Sequence, residues 1–278
     1  MLTIRNLARQ EMVFSVEVAH KEGWNPGLYD GASFYQADPD GFFLAELDGG
    51  MAGGISAVKY GSGLAVIGSH FVLPPFRGRG IGKKLWEHAL DVAGDRSIRI
   101  NGLTEKKGFY TSYGFRSAGI VLRYRGDVFA EARSGENVRS AYDVDFRALI
   151  AYDAGIFGVA RAAFLKAWME TPGMQCLCVV QDEAIRGWGC MRRCRDGWRL
   201  GPVFADHHDG AEELLRHFAL KTIGERAYID VPESNAHAIR LAFSMGMTPS
   251  DARMRLYRGP GMDEPMDSVF GFTTLDIG

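Results

Sequence analysis

Long apolar runs are missing from this chain, and so is any excess of charge of one sign. No stretch of its 278 residues approaches the length a membrane-crossing helix needs. Leu2 to Gln10 already carries Arg5 and Arg9, which a signal peptide would not tolerate in its apolar core. A cytoplasmic protein with no membrane partner is the expectation. Lys and Arg number 32 against 34 Asp and Glu, so the formal net charge of −2 offers no basic surface for nucleic acid. Cysteine is scarce as well. Cys176, Cys178, Cys190 and Cys194 all fall in the second half. Met174 to Val180 and Ala184 to Met191 predict a hairpin turning at Gln181-Asp182-Glu183. Its simplest register sets Cys176 against Gly189 and so puts Cys190 on the opposite face from Cys176 and Cys178. Together with the C-x-C and C-x-x-x-C spacings, that excludes the usual zinc patterns. The thiols then read as small hydrophobic side chains, and no metal is expected.

Two phosphate motifs are absent too. A Walker loop would need glycine where Arg77 stands and Ser or Thr where Lys84 stands. A dinucleotide fingerprint would need glycine at Lys83.

What is present is a strand, a glycine-rich turn and a helix in direct succession. Leu64 to Leu73, with Val66, Ile67, Phe71 and Val72, predicts a buried strand that Pro74-Pro75 stops. Ile81, Leu85, Ala89 and Val92 recur at helical spacing, so a helix begins at about Gly80. Between them, Arg77-Gly78-Arg79-Gly80-Ile81-Gly82 aims free N–H groups and a helix dipole at one point, an anion site. Arg77, Arg79, Lys83 and Lys84 surround it with positive charge.

Arg-x-x-Gly-x-Gly at Arg77, Gly80 and Gly82, straight after a strand, resembles the GNAT superfamily of acyl-coenzyme A-dependent N-acyltransferases. Residues 1–126 follow that family's order of two helices, hairpin, pyrophosphate turn and strand-helix-strand finish. A polar stretch, 127–136, reads as a linker. The order then recurs over 137–278. Gly80 matches Gly210, Tyr113-Gly114-Phe115 matches Met245-Gly246-Met247, and Tyr124-Arg125-Gly126 matches Tyr257-Arg258-Gly259. The expected fold is therefore α/β (mixed α+β): two tandem GNAT-like domains, each a twisted, mainly antiparallel sheet flanked by helices, the second degenerate. Pro260 to Gly278 follows, with Phe270, Phe272 and Leu275, and the sequence does not decide whether it adds an edge strand.

The resemblance implies acetyl-coenzyme A as cofactor and N-acetylation of a small-molecule amine as activity. It implies that Phe71, Val72 and Leu73 pair with the pantetheine. Arg77 and the N–H groups of Gly78, Arg79, Gly80, Ile81, Gly82 and Lys83 would hold the pyrophosphate. Tyr110, in a Phe-Tyr-x-x-x-Gly-Phe match, would meet the coenzyme sulfur, and Asn101 would touch the cofactor or its water. His70 is the base in this reading, or else turns into the core; a water relay and an amine that arrives neutral are the alternatives. Trp24, Asn25 and Asp30 would bind substrate, Asp30 as anchor for a cationic amine and Trp24 as a wall. The second half has His207, Gly210 and Glu212 where the first has Arg77, Gly80 and Gly82, so one cofactor per chain is expected. Asp153 and Arg161, eight residues apart, are too distant to pair along one helix. A homodimer is compatible with all of this. A non-catalytic acyl-coenzyme A sensor and a protein acetyltransferase are the rival readings.

Overall fold

A computed structural model describes residues 1–128 and 137–278. The expected linker at 127–136 lies almost wholly outside them.

The first half runs β1 (Leu2–Asn6), α1 (Met12–Lys21), α2 (Asp30–Ala37), β2 (Phe42–Leu47), β3 (Gly50–Tyr60), β4 (Leu64–Val72), α3 (Ile81–Ala93), β5 (Ser97–Gly102), α4 (Lys107–Ser112) and β6 (Arg116–Asp127). The second runs β7 (Val138–Ser140), α5 (Phe146–Phe157), α6 (Ala162–Met169), β8 (Gln175–Gln181), β9 (Ala184–Arg193), β10 (Trp198–Ala205), α7 (His208–Lys221), β11 (Arg226–Pro232), α8 (Ala236–Ser244), β12 (Thr248–Arg258) and β13 (Val269–Gly271). Both halves have the expected mixed α/β order.

They do not form separate sheets. Among the described residues one sheet runs β1-β2-β3-β4-β5-β12-β6-β11-β10-β9-β8-β7. β12 of the second half inserts between β5 and β6 of the first, and β6 of the first pairs with β11 of the second. The exchange is symmetric: Tyr124 sits opposite Ile229, and Tyr257 opposite Arg99. Each half therefore takes an inner neighbour from the other, and neither has a closed sheet alone. Helix α2 packs on α6, where Phe34 stacks on Trp168 at 6.3 Å, so one apolar core also spans both halves.

Two local expectations change, and the place of the last strand is decided. Cys176 lies opposite Cys190, because the ladder shifts by one residue between Val179 and Val180. A bulge moves every side chain beyond it to the other face, which a register counted from the turn cannot foresee. Cys176, Cys178 and Cys190 thus share one apolar cluster, and burial pushes the Cys178 thiol up to about 12. Asp153 and Arg161 do pair, through two bonds of 2.7 and 2.8 Å in a fully buried site. The chain breaks at Gly158 and α6 leaves at 113° to α5, which folds the two residues together. Finally, β13 is no edge strand: it lies in the gap between β10 and β11.

Among the described residues no single helix is long and apolar enough to cross a membrane. The bent pair α5 and α6 passes by composition, and its apolar side chains lie in the core.

Candidate active site

β4 and β5 are parallel and pair only from Leu64 opposite Ser97 to Ile67 opposite Ile100. Beyond Ile67 they separate, and β4 continues alone with β3 through Phe71 and Val72. A V-shaped opening results, with the last residues of β4 unpaired on that side. Phe71 is buried against Phe14, while Val72 and Leu73 lead out toward the turn.

The turn then raises the chain into the N-terminus of α3. Gly78 and Gly80 have φ of 78° and 76°, and Gly80 is the cap residue. A Cβ on either would meet nothing within 4 Å, so the ground above them is open. Among the described residues the N–H groups of Gly78 to Lys83 find no acceptor; the first to bond is Lys84, to Gly80. Arg77 does not point into this space. Its Nε donates to the Val72 carbonyl (2.9 Å) and its guanidinium pairs with Glu22 (2.6 Å), which braces the turn against β4. Arg79 lies over Phe76, and Lys83 is 3.7 Å from Glu87.

Where β4 and β5 separate there is a cavity of about 150 Å³. Trp24, Asp30, His70, Asn101 and Tyr110 all line it. Five residues far apart in sequence thus converge on one space. Tyr110 sits against Trp86 in an aromatic cluster, and its hydroxyl accepts from the Leu103 N–H at 3.3 Å. Burial pushes this phenol's pKa up, so it keeps its proton at neutral pH. His70 bonds to the Gly82 carbonyl through Nε2 at 3.1 Å. A carbonyl only accepts, so Nε2 carries the proton and Nδ1 is the free nitrogen. Burial first, then the Lys106 charge, lower its pKa to about 4. His70 is therefore neutral across physiological pH, and it ties β4 to the start of α3.

The other candidates are already engaged. The Asn101 amide donates to the Leu275 carbonyl (3.2 Å) and accepts from Arg255 (3.1 Å). Both Asp30 oxygens are taken by Arg192, at 2.8 and 3.1 Å, and one also receives the Gly27 N–H. Asn25 does not line the cavity; its side chain bonds with the backbone of Asp196. Its carbonyl and that of Trp24 accept from Arg199, and Trp24 also accepts from Arg123.

Sequence reading missed those arginines. Arg123, Arg192 and Arg199 form the cavity floor from β6, β9 and β10. Arg123 and Arg199 both bind Asp230, a buried carboxylate. A charged residue inside an otherwise apolar strand was the available signal, since a buried charge needs a partner. Thr274, Leu275 and Asp276 also line the cavity, and nothing in sequence proximity points to them.

The second half repeats the frame without the opening. β10 and β11 pair from Trp198 to Leu200 and then separate, but β13 fills the gap: Gly271 sits opposite Val203, and the Phe272 N–H donates to the Asp230 backbone carbonyl. Residues 73–80 form the turn before α3, whereas only Asp206 and His207 separate β10 from α7. His207 is thus the cap that corresponds to Gly80, and Gly210 lies inside the helix. Glu212 bonds to Arg216. The Gly114 and Gly246 turns correspond as expected, with left-handed φ of 83° and 80°. That alignment puts Ala242 at the place of Tyr110.

Comparison with known proteins gives three kinds of match. The Acetyltransferase (GNAT) family profile matches residues 4–115, and an Acetyltransferase (GNAT) domain profile matches residues 149–271. Holothin acyltransferase of Pseudoalteromonas sp. (strain SANK 73390) is 27% identical over 264 residues, 94% of this chain and 90% of that protein. Among solved structures, a candidate acetyltransferase from Pyrococcus horikoshii superposes with a TM-score of 0.85 at 22% identity, covering 100% of this chain and 96% of that one. A tandem GNAT protein from the clavulanic acid biosynthesis pathway gives 0.64 at 16%, covering 95% and 100%. At such identities the structures speak for the fold alone.

Proposed function

Because the chain belongs to the GNAT superfamily, with two GNAT domains in tandem, we propose that it is an acetyl-coenzyme A-dependent N-acetyltransferase acting on a small-molecule amine. The observation that carries this reading is the opening where β4 leaves β5: the unpaired β4 edge borders it, Tyr110 and His70 line it, and His70 bonds to Gly82 of the donor-rich turn. The residues fit the cofactor. Among the described residues the six N–H groups from Gly78 to Lys83 have no acceptor, and the space over Gly78 and Gly80 is open, as a pyrophosphate requires. When bound, acetyl-coenzyme A supplies the thioester that donates the acyl group.

The chain's own residues divide the remaining work. The turn and the α3 dipole hold the pyrophosphate charge, with Arg79 and Lys83 adding cations at its rim. The free edge of β4 past Ile67 offers backbone partners to an extended ligand. Tyr110 holds a proton at its hydroxyl for the departing sulfur. Trp24 and the arginine-braced loop wall off the acceptor side and exclude water. An acyltransferase relative supports acyl transfer in general. Thiol release from acetyl-coenzyme A with a set of primary alkyl and aryl amines tests the reading, and amine-independent release would count against it.

Two results follow from the geometry. Calorimetric titration of the full chain with coenzyme A should give one equivalent, since β13 fills the second opening and the turn before α7 is too short. A stoichiometry of two would refute this. Tyr110→Phe should lower kcat by about tenfold to a hundredfold with coenzyme A affinity unchanged. Full turnover in that variant, with chemistry rate-limiting, would return Tyr110 to the core.

A further inference from the structure

The closing segment of the chain leaves the second half and enters the first. After β13 fills the gap between β10 and β11, Thr274 to Asp276 line the cavity at the point where β4 separates from β5. The segment is fastened along its path. Thr274 Oγ1 accepts from the N–H groups of Asp276 and Ile277, and the Ile277 carbonyl accepts from Tyr60. The Leu275 carbonyl accepts from Asn101.

It runs against β4 at Gly68. A Cβ there would lie 2.0 Å from the Asp276 backbone oxygen, so a side chain at position 68 and this segment cannot coexist. The facing residue, Asp276, lines the cavity and brings a carboxyl group to its wall. The Ser69 hydroxyl, 3.3 Å from Asp276 Oδ1, orients it. From the geometry we infer that Asp276 is the catalytic base of the first-half site, accepting the proton of the incoming amine.

This rests on the proposed amine acetylation, and four observations favour Asp276 over its neighbours. Asp30 and Asp230, the other carboxylates of this region, are bound by arginines. Among the described residues no cationic side chain lies within ion-pair distance of Asp276. His70 has its Nε2 proton committed to Gly82 and a depressed pKa, which makes it a poor base. Burial raises the Asp276 pKa; the charges of Arg199 and Arg123 oppose this and that of Asp30 adds to it. Lys106, Arg192 and Arg253 complete the charged lining. A raised carboxyl is a stronger base than a free aspartate.

Protons balance as follows. An ammonium arriving from water gives one proton to Asp276, which returns it to solvent. The neutral nitrogen bonds to the thioester carbon as the carbon–sulfur bond breaks, and its second lost proton ends on the sulfur, supplied through the Tyr110 hydroxyl.

The test compares the full-length native protein with Asp276→Asn, Asp276→Glu and Ser69→Ala. Asp276→Asn should bind coenzyme A within about twofold of native by calorimetry, yet lose kcat by on the order of a hundredfold. It should also lose the fall in rate on the acid side of the pH profile. Asp276→Glu should recover part of the rate. Ser69→Ala should keep the acid limb but move it to higher pH, as loss of a hydrogen bond to the carboxylate predicts. Infrared difference spectra, native minus Asp276→Asn, should show a carboxylic acid band that persists above the ordinary aspartate range. Native-like turnover in Asp276→Asn, or no such band, overturns the assignment and leaves the proposed function standing. No amine-dependent thiol release by the native protein overturns both.

Discussion

Gly80→Glu is expected to abolish coenzyme A binding while leaving the fold intact. Three effects act in the same direction. Position 80 has a left-handed φ of 76°, which a residue with a side chain adopts at a cost of about 1 kcal/mol. The new side chain would rise into open ground over the unpaired N–H groups, where a phosphate must approach bare backbone. Its carboxylate, at about 4 Å from a phosphate, would be repelled by roughly 1 to 4 kcal/mol. Repulsion alone weakens binding from about fivefold to about a thousandfold, before the lost contacts are counted. Because no Cβ contact within 4 Å is made in the protein, far-UV circular dichroism should be unchanged, and the left-handed φ should lower Tm by only about 2 to 4 °C. Calorimetry should show no saturable heat at concentrations that saturate the native chain. Undiminished binding would mean that the turn does not hold the pyrophosphate.

Asp230→Ala should be the most destabilising substitution considered. Asp230 on β11 receives Arg123 from β6 at 2.7 and 3.1 Å and also Arg199 from β10. All three are buried. Truncation leaves two guanidinium groups facing each other without their anion, and breaking a buried pair in this way costs about 3 to 5 kcal/mol. For a chain of this size that is a fall in Tm of roughly 6 to 20 °C. Asp230→Asn keeps acceptor capacity and should cost less. The damage should reach the cavity too, because both arginines also hold the Trp24 carbonyl. Burial pushes the Asp230 carboxyl up, but Arg123 and Arg199 pull it further down, to about 2. A folded pKa below the unfolded one adds stability that is complete above the ordinary carboxylate range and is lost as pH falls from about 4 toward 2. Over that interval Tm should fall more steeply with falling pH for the native chain than for Asp230→Ala. Equal melting temperatures at neutral pH would refute the account.

How much of this was legible depended on distance along the chain. The turn at Gly78 to Gly82 is read from sequence because strand, prolines, glycines and helix period are contiguous, and local rules govern contiguous residues. The same holds for the Tyr113-Gly114 turn and its counterpart at Met245-Gly246, and so for the tandem repeat of the fold. Hairpin register was half legible: alternation predicts the strands, but the one-residue shift between Val179 and Val180 depends on packing and carries no local mark. Helix-period reasoning kept Asp153 from Arg161 because it assumed a continuous axis, and the bend at Gly158 removed that axis.

The sequence by itself therefore determined the α/β elements, their repetition and the glycine-rich turn at the start of α3, all of which follow from short-range periodicity and backbone chemistry. Tertiary structure alone decided the exchange of β6 and β12, the arginine floor shared by the two halves, and the path of the closing segment into the opening of β10 and β11 and on to Asp276. Those contacts join residues far apart along the chain, 31 positions for Arg199 and Asp230 and 207 for Ser69 and Asp276. No local pattern encodes such pairs: they form because buried charges must find counter-charges and splayed strands must find partners, wherever in the chain these lie.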